Sequence, residues 1–465
     1  MPKTIKVGIQ VLHRKKKGCN IGKVMLVVTF CLAVECLNAA WNHGDPVVAY
    51  WAGPGFPGAA KLSEASLLQL REGGWNTVWA TSPAELDLAA KFGMRCIYAV
   101  PGGISKISDP KREETIGKVI DRVKDHPALY VYLLADEPSF GRFNGLYSTK
   151  KWLQGRDSNH AAWINLLPSY ATNKQLGMGG EIVSAYREYV HRFCEMVKPE
   201  FFSFDHYQFN WKGDTQGFLM NLDIARERAN SIGVPFWVGI QACSSSSPQK
   251  DVASPPCSRE VGPEELRYLA WTSAAYGARG IYHFVYSHPE FKGGIATTKG
   301  DTGRNYEALK TINREFVALA SELASLTFTG AWMQGQVAPG VEPYCGKAML
   351  TITPSAPMTY PSGGEFLGPY SDTTLITRFD APGAPTHLVV VNMDYTKERT
   401  IHVKAPAQLE RFDALKGEWS SVGSNETDLV LPKGGGFLLR LGQKVSDERG
   451  MKLGRVAFTK ETRTR

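Results

Sequence analysis

Between residues 46 and 326 short apolar runs alternate with amphipathic stretches, and the alternation repeats eight times. The runs occupy 47–51, 77–80, 96–100, 129–135, 161–167, 201–207, 236–241 and 280–286, and they are rich in the β-branched and aromatic residues that favour strands. The stretches between them carry apolar residues at helical spacing, as in Ile116, Val119, Ile120 and Val123, or Ile182, Tyr186, Tyr189, Val190 and Phe193. Eight strand-then-helix units within roughly 250 residues predict an α/β fold, a (β/α)8 TIM barrel. A doubly wound open sheet is the competing arrangement, but it needs a glycine-rich phosphate loop after its first strand. That position holds Gly53-Pro54-Gly55, a proline-interrupted turn.

The barrel is expected over 41–326, closing with a helix patterned by Leu309, Ile312, Phe316, Leu319 and Leu323. Past residue 327 the texture changes to short alternating runs at 348–352, 374–379, 387–392, 400–403 and 436–441, broken by Pro and Gly. That pattern predicts a small antiparallel β-sandwich over 327–445. A polar, basic tail at 446–465 is expected to be disordered.

Residues 1–40 are expected to be a signal peptide: a cationic segment through Lys23, an apolar run from Val24 to Val34, and small residues at Ala39-Ala40. The apolar run is short of the ~20 residues that a membrane span needs. The mature chain is therefore expected to be secreted or periplasmic, with no membrane span after signal removal. This leader also explains the charge. Its seven Lys/Arg against one Glu account for +6 of the net +8, leaving about +2 for all the rest, so no nucleic-acid surface is indicated. Of eight cysteines, three lie in the leader, and Cys243 and Cys257 flank a Ser/Pro-rich loop where a disulfide could form in an oxidising compartment. No Cys/His spacing suggests a metal, no cofactor motif is present, and nothing in the sequence sets the oligomeric state.

Active sites of such barrels sit at the C-terminal strand ends. Those ends hold Trp51, Trp79, Asp136-Glu137, Asn165, Asp205-His206-Tyr207, Gln241 and Tyr282-His283. Rings stack on apolar sugar faces, while sugar hydroxyls need Asp, His, Asn and Gln, so the expected ligand is a carbohydrate. Glycosidic cleavage needs a protonated carboxyl at the leaving oxygen and usually a second carboxylate across the sugar. Glu137 is the candidate acid, because burial and the neighbouring Asp136 both raise a carboxyl pKa. Asp205 is the candidate partner, two strands away. Gln241, Asn165, His206, Tyr207 and His283 are candidate hydroxyl partners, with Trp51, Trp79, Trp237 and Tyr282 as stacking faces. Each also has an ordinary structural use: a strand-end Asp caps helices, and a histidine lines a wall.

The Ala135-Asp136-Glu137-Pro138 strand end, Asn165-Leu166-Leu167-Pro168, Asp205-His206-Tyr207 and Tyr306-Glu307-Ala308-Leu309 resemble the barrel glycoside hydrolases of the large clan that includes family 42 β-galactosidases. The resemblance covers roughly residues 46–325 and implies an O-glycosyl hydrolase with Glu137 as acid/base. Two departures stand out. That clan has Asn before the strand-four Glu, where this chain has Asp136, and a nucleophilic Glu ends its strand seven, where this chain has Gln241. Three expectations follow. Asp205 supplies the second carboxylate; or Asp136-Glu137 works like the dyad of substrate-assisted hexosaminidases of families 20 and 123, which it resembles; or the barrel binds glycan without cleaving it.

Overall fold

The computed structural model describes residues 42, 44–104, 109–211, 213–215, 217–245, 258–346, 350–353 and 368–442. The expected signal peptide, the basic tail and Cys257 lie outside them. Cys243 is a buried free thiol.

Eight parallel strands form the predicted barrel: β1 (Val47–Trp51), β2 (Thr77–Ala80), β3 (Arg95–Tyr98), β4 (Leu129–Asp136), β5 (Ala161–Leu166), β6 (Phe202–His206), β7 (Phe236–Gln241) and β8 (Gly280–Phe284). They run in sequence order from β2 round to β8, which pairs with β1. The helices between them include α1 (Glu64–Glu72), α2 (Pro83–Lys91), α3 (Pro110–Val123), α4 (Phe143–Arg156), α5 (Ile182–Val197), α6 (Gly217–Ile232), α7 (Pro263–Ala275) and α8 (Tyr306–Glu322). Local chemistry starts several of them. Ser63, Ser82 and Asp109 accept first-turn N–H groups, and proline opens α2, α3 and α7. The apolar stripe of α5 buries Tyr186, Tyr189, Val190 and Phe193, as its spacing predicts.

Side chains close the seam between β1 and β2. Asn76 Oδ1 accepts the Val48 N–H at 2.9 Å, its amide donates to Pro46 O at 3.0 Å, and the Trp75 and Trp79 indoles donate to Ala49 O and Tyr50 O. Val48, Ala49 and Tyr50 are buried, and an unpaired backbone group there would be costly.

Beyond α8 a seven-stranded sheet begins with β9 (Thr327–Gln334) and includes Thr374–Asp380, His387–Asn392, Leu409–Asp413, Glu418–Ser421 and Gly436–Leu441. It is antiparallel except where Glu342–Pro343 runs parallel to β9. Alternation along its strands divides the core: Leu375, Val389, Val391 and Leu438 join the barrel's apolar cluster, while Ile376, Leu388, Val390 and Leu439 pack with Ile401, Val403, Leu429 and Leu431. The last four belong to the three-stranded sheet that forms the second layer of the sandwich. Among the described residues no helix is long and apolar enough to cross a membrane.

Asn76→Ala strips partners from two backbone groups at the seam. It should lower unfolding free energy by about 2–3 kcal/mol, read as a shifted urea midpoint, whereas an unmoved midpoint would show that the seam closes without that amide.

Candidate active site

Strand register decides which tip residues face the barrel interior. Ser203 sits beside Trp237, Asp205 beside Gly239, and Gly239 beside Tyr282, so these point inward together. Alternation then sends their chain neighbours outward. His206 lies against α6, its Nδ1 3.2 Å from Asn221 Oδ1 and its ring 5.5 Å from Phe218. His283 faces the outer layer too, 3.2 Å from Ala49 O and edge-on to Trp75. Burial pushes both imidazoles down to about 4, which keeps them neutral. The expectation that they meet sugar hydroxyls is therefore corrected: adjacent residues on a regular strand cannot both enter one cup.

Asp136-Glu137 escapes that rule by two local departures. Register slips between Leu133 and Ala135, so that Leu133 pairs with Trp163, Ala135 with Ile164 and Asp136 with Asn165. This bulge turns Asp136, instead of Ala135, to the inner face. Glu137 then takes a left-handed backbone at φ 42° while its N–H donates to Asn165 O at 2.9 Å. A non-glycine residue rarely holds that conformation, and such strain gathers at functional sites. Tyr189 steadies the exit by donating to Pro138 O at 2.7 Å. Both acids are consequently exposed at the barrel mouth.

Asn165 organises the carboxylates. Its Oδ1 accepts from Ser203 Oγ at 2.8 Å and from the Tyr282 hydroxyl at 2.6 Å, and Ser203 is in turn held by the Trp163 indole at 2.7 Å. The amide nitrogen is left facing the acids, donating at 3.0 Å to Asp136 and at 3.0 Å to Asp205. Two oxygens each 3.0 Å from one nitrogen lie within 6.0 Å of each other, the sum of those distances. The Tyr207 phenol adds a second hydrogen bond to Asp205, which is only 4% exposed.

Desolvation and the neighbouring carboxylates are the main influences that raise the three carboxyls, and no Lys or Arg stands among the main ones that lower them. Desolvation raises Asp136, partly countered by Asn165. Asp205 is pushed up to about 6 by desolvation and the Asp136 charge, against the pull of Tyr207 and Asn165. Glu137 has no such donor and is pushed up to about 8 by desolvation, then by Asp205, then by Asp136. Of the three, Glu137 is thus the group pushed furthest toward keeping its proton.

The other expected residues divide. Trp51 is half-buried at the mouth, with ring centroids 5.9 Å from Tyr282 and 5.4 Å from Trp163. Trp79 is fully buried behind Trp51 and supports it edge-on at 5.4 Å. Trp237 lies deeper in the barrel, fully buried, 4.2 Å from the Phe201 ring and filling the space left at Gly280. Neither is a stacking face. Gln241 is buried, and its amide is spent on backbone: it donates to Phe209 O at 2.9 Å and Arg259 O at 2.8 Å, and accepts from Phe209 N at 2.9 Å. It is an anchor for neighbouring loops, buried with its amide hydrogens committed to backbone carbonyls. Gly239, one register step from Asp205, has the opposite character: a Cβ there would lie 2.4 Å from the Tyr282 ring, so glycine lets Tyr282 reach Asn165.

Tyr170 was not singled out from the sequence. It follows β5, is 40% exposed, accepts the Tyr207 N–H at 3.4 Å, and feels the charges of both Asp205 and Glu137. An aromatic residue just past the Asn165-Leu166-Leu167-Pro168 turn was the available signal. Phe284, beside Tyr207 at 4.7 Å, was another. Among the described residues no group of three or more His, Cys, Asp or Glu is arranged to hold a metal ion.

No protein-family model and no curated protein matches this chain. Solved structures do. A glycoside hydrolase of family 5 from Bacteroides vulgatus superposes with a TM-score of 0.52 at 12% identity, over 88% of this chain and 91% of that one. A structure described as a glycoside hydrolase gives a TM-score of 0.51 at 13% identity, over 87% and 93%. A β-glucuronidase from an uncultured Clostridium gives only 0.41 at 13% identity, and this chain spans about half the length of that protein, 50%. At these identities the likeness is one of fold.

Asn165→Leu removes the donor that lowers both aspartates. Carboxyl 13C NMR should show Asp136 and Asp205 titrating at higher pH than in the native chain; unchanged titrations would remove Asn165 from its organising place.

Proposed function

We propose that the chain is a glycoside hydrolase in which Glu137 protonates the glycosidic oxygen. The observation that carries this is a carboxyl at the mouth of a TIM barrel, beside Asp136 and Asp205, whose pKa is pushed up to about 8 by desolvation first and by the two neighbouring carboxylates second. An acid is most useful when its pKa lies near the working pH. Asp136 and Asp205 supply the negative charge that an oxocarbenium-like sugar needs, and Asp136, the accessible one of the two, faces the substrate. Trp51 offers the ring against the sugar's apolar face, and Tyr207 and Tyr282 hold the hydroxyl and amide network behind the acids. The overall likeness to glycoside hydrolase structures fits this reading, as does a secreted or periplasmic location for a chain with the expected leader.

A second reading is substrate-assisted hydrolysis of a 2-acetamido sugar. It is favoured by β7, which brings Gly239 and the committed Gln241 where a nucleophilic acid would otherwise stand, and by the left-handed Glu137 that puts Asp136 and Glu137 in the same opening. Asp136 would then steady the acetamide while Glu137 acts as acid. Turnover of a plain galactoside or fucoside selects the first reading; turnover confined to 2-acetamido glycosides selects the second.

Glu137→Gln should lower kcat/KM by about 10²–10⁴-fold on substrates with poor leaving groups, and undiminished hydrolysis would contradict the assignment. The native pH profile should be bell-shaped, rising as Asp205 ionises near 6 and falling as Glu137 loses its proton near 8. Linkage gives a matching stability effect. The folded chain holds the Glu137 proton more tightly than the unfolded one, so this stability is complete below the ordinary carboxyl range and is lost as pH rises through about 8. Glu137→Gln should accordingly gain thermal stability over the native protein on the alkaline side, and an equal loss in both would argue that Glu137 is ionised throughout.

A further inference from the structure

The loop after β6 is tied to the sandwich as well as to the barrel, and the tie runs back to a group that touches Asp205. Tyr207 donates its phenol to Asp205, and the chain past it folds into a small hairpin, Phe209–Asn210 against Gly213–Asp214. The hairpin closes on itself, because the Thr215 N–H donates to Gln208 O at 2.8 Å. The residue after Asp214 is thereby bonded to the residue after Tyr207.

Asp214 is buried, and a buried carboxylate needs partners. Arg259 sits 2.5 Å from Glu265 of α7 but 3.6 Å from Asp214, so its guanidinium is committed mainly to the other acid. The short bond to Asp214 comes from the sandwich: Tyr395 donates to it at 2.8 Å. The Tyr395 ring packs between two barrel rings, with centroids 5.4 Å from Phe209 and 6.0 Å from Tyr268 of α7. Phenylalanine would fill that space without burying a hydroxyl against a carboxylate, so packing alone does not account for the phenol.

Tyr395 is mounted firmly on its own side. It lies just past the sandwich strand His387–Asn392, in a turn where Asp394 Oδ1 accepts the Thr396 N–H at 2.8 Å and the Gly434 N–H donates to Asp394 O at 3.1 Å. Gly434 in turn sits so close to α7 that a Cβ there would lie 2.4 Å from Glu264 O. The sandwich is seated hard on the barrel at the place where the phenol reaches across.

From these contacts we infer that Tyr395 is a positioning residue for the carboxyl cup: through Asp214 the sandwich holds the 207–215 loop, and the loop so held keeps the Tyr207 phenol on Asp205. Its part in catalysis rests on the reading of the cup as a glycosidase site. The titratable groups that face Asp205 include Asp136, Glu137 and the phenols of Tyr170, Tyr186, Tyr207 and Tyr282, and Tyr207 is the phenol that donates to it. A loop released from its post weakens that donation, and Asp205 then keeps its proton to higher pH.

Carboxyl 13C NMR of the full chain reads Asp205 without any turnover. Tyr395→Phe, which keeps the ring and removes the hydroxyl, should move the Asp205 titration up by about half a pH unit or more, and Tyr207→Phe should move it at least as far. Both changes together should move it no further than Tyr207→Phe alone, because the post acts through that phenol. Where Tyr395→Phe does not fold, Gly434→Ala carries the same test, since it disturbs the seat without touching the hydroxyl. An Asp205 titration left unmoved, even beside a lowered thermal midpoint, would make Tyr395 a packing contact and overturn the inference, as would full additivity with Tyr207→Phe. Failure of the catalytic reading is seen separately, as undiminished hydrolysis by Glu137→Gln while the Asp205 shifts stand.

Discussion

Three carboxyl groups share one opening, where desolvation and their own like charge raise them all, and the hydrogen-bond donors around the barrel mouth decide how unequally. Charges of like sign in a poorly solvated space cannot all persist, so one group must hold a proton. Donors decide which. Asn165 serves Asp136 and Asp205, Tyr207 serves Asp205, and Glu137 is the group left without such help. Beyond desolvation, one amide and one phenol thus set the difference in proton affinity between three chemically similar side chains.

That distribution works only if the amide keeps its orientation. Two hydroxyls, from Ser203 and Tyr282, occupy the Asn165 oxygen, and Trp163 fixes Ser203, so the nitrogen has one direction to face. Gly239 leaves the Tyr282 ring its path. Below this layer Trp237 fills the space over Gly280, and at the seam Asn76 and Trp79 replace missing ladder bonds. Floor, seam and hydrogen-bond relay are one rigid support, which is what a preorganised acid requires.

The eight-fold alternation was enough to read the barrel, because buried parallel strands and amphipathic helices each leave a strong local period. It also put Asp136, Glu137, Asn165, Asp205, Tyr207 and Tyr282 on or just past the barrel strands that carry them. What it could not resolve was facing. His206 and His283 were grouped with Asp205 and Tyr282 although alternation turns them outward, and the bulge at Leu134 that brings Asp136 in has no signature in composition. Gln241 looked like a sugar ligand because its partners, Phe209 and Arg259, come from loops whose approach depends on tertiary packing. Trp79 and Trp237 were misread for a similar reason: a ring at a strand position carries no label for depth. Tyr170 lies past its strand, outside any periodic pattern, and emerged only with the loops in place.

The central claim is that Glu137 carries a proton at neutral pH while its two neighbours do not. Infrared difference spectroscopy between the native protein and Glu137→Gln reads this directly, since a protonated carboxyl has a carbonyl band that a carboxylate lacks. At neutral pH the native chain should show that band and the variant should lose it, with the band fading as pH rises through about 8. A native spectrum at neutral pH with only carboxylate signal from Glu137 would contradict the account.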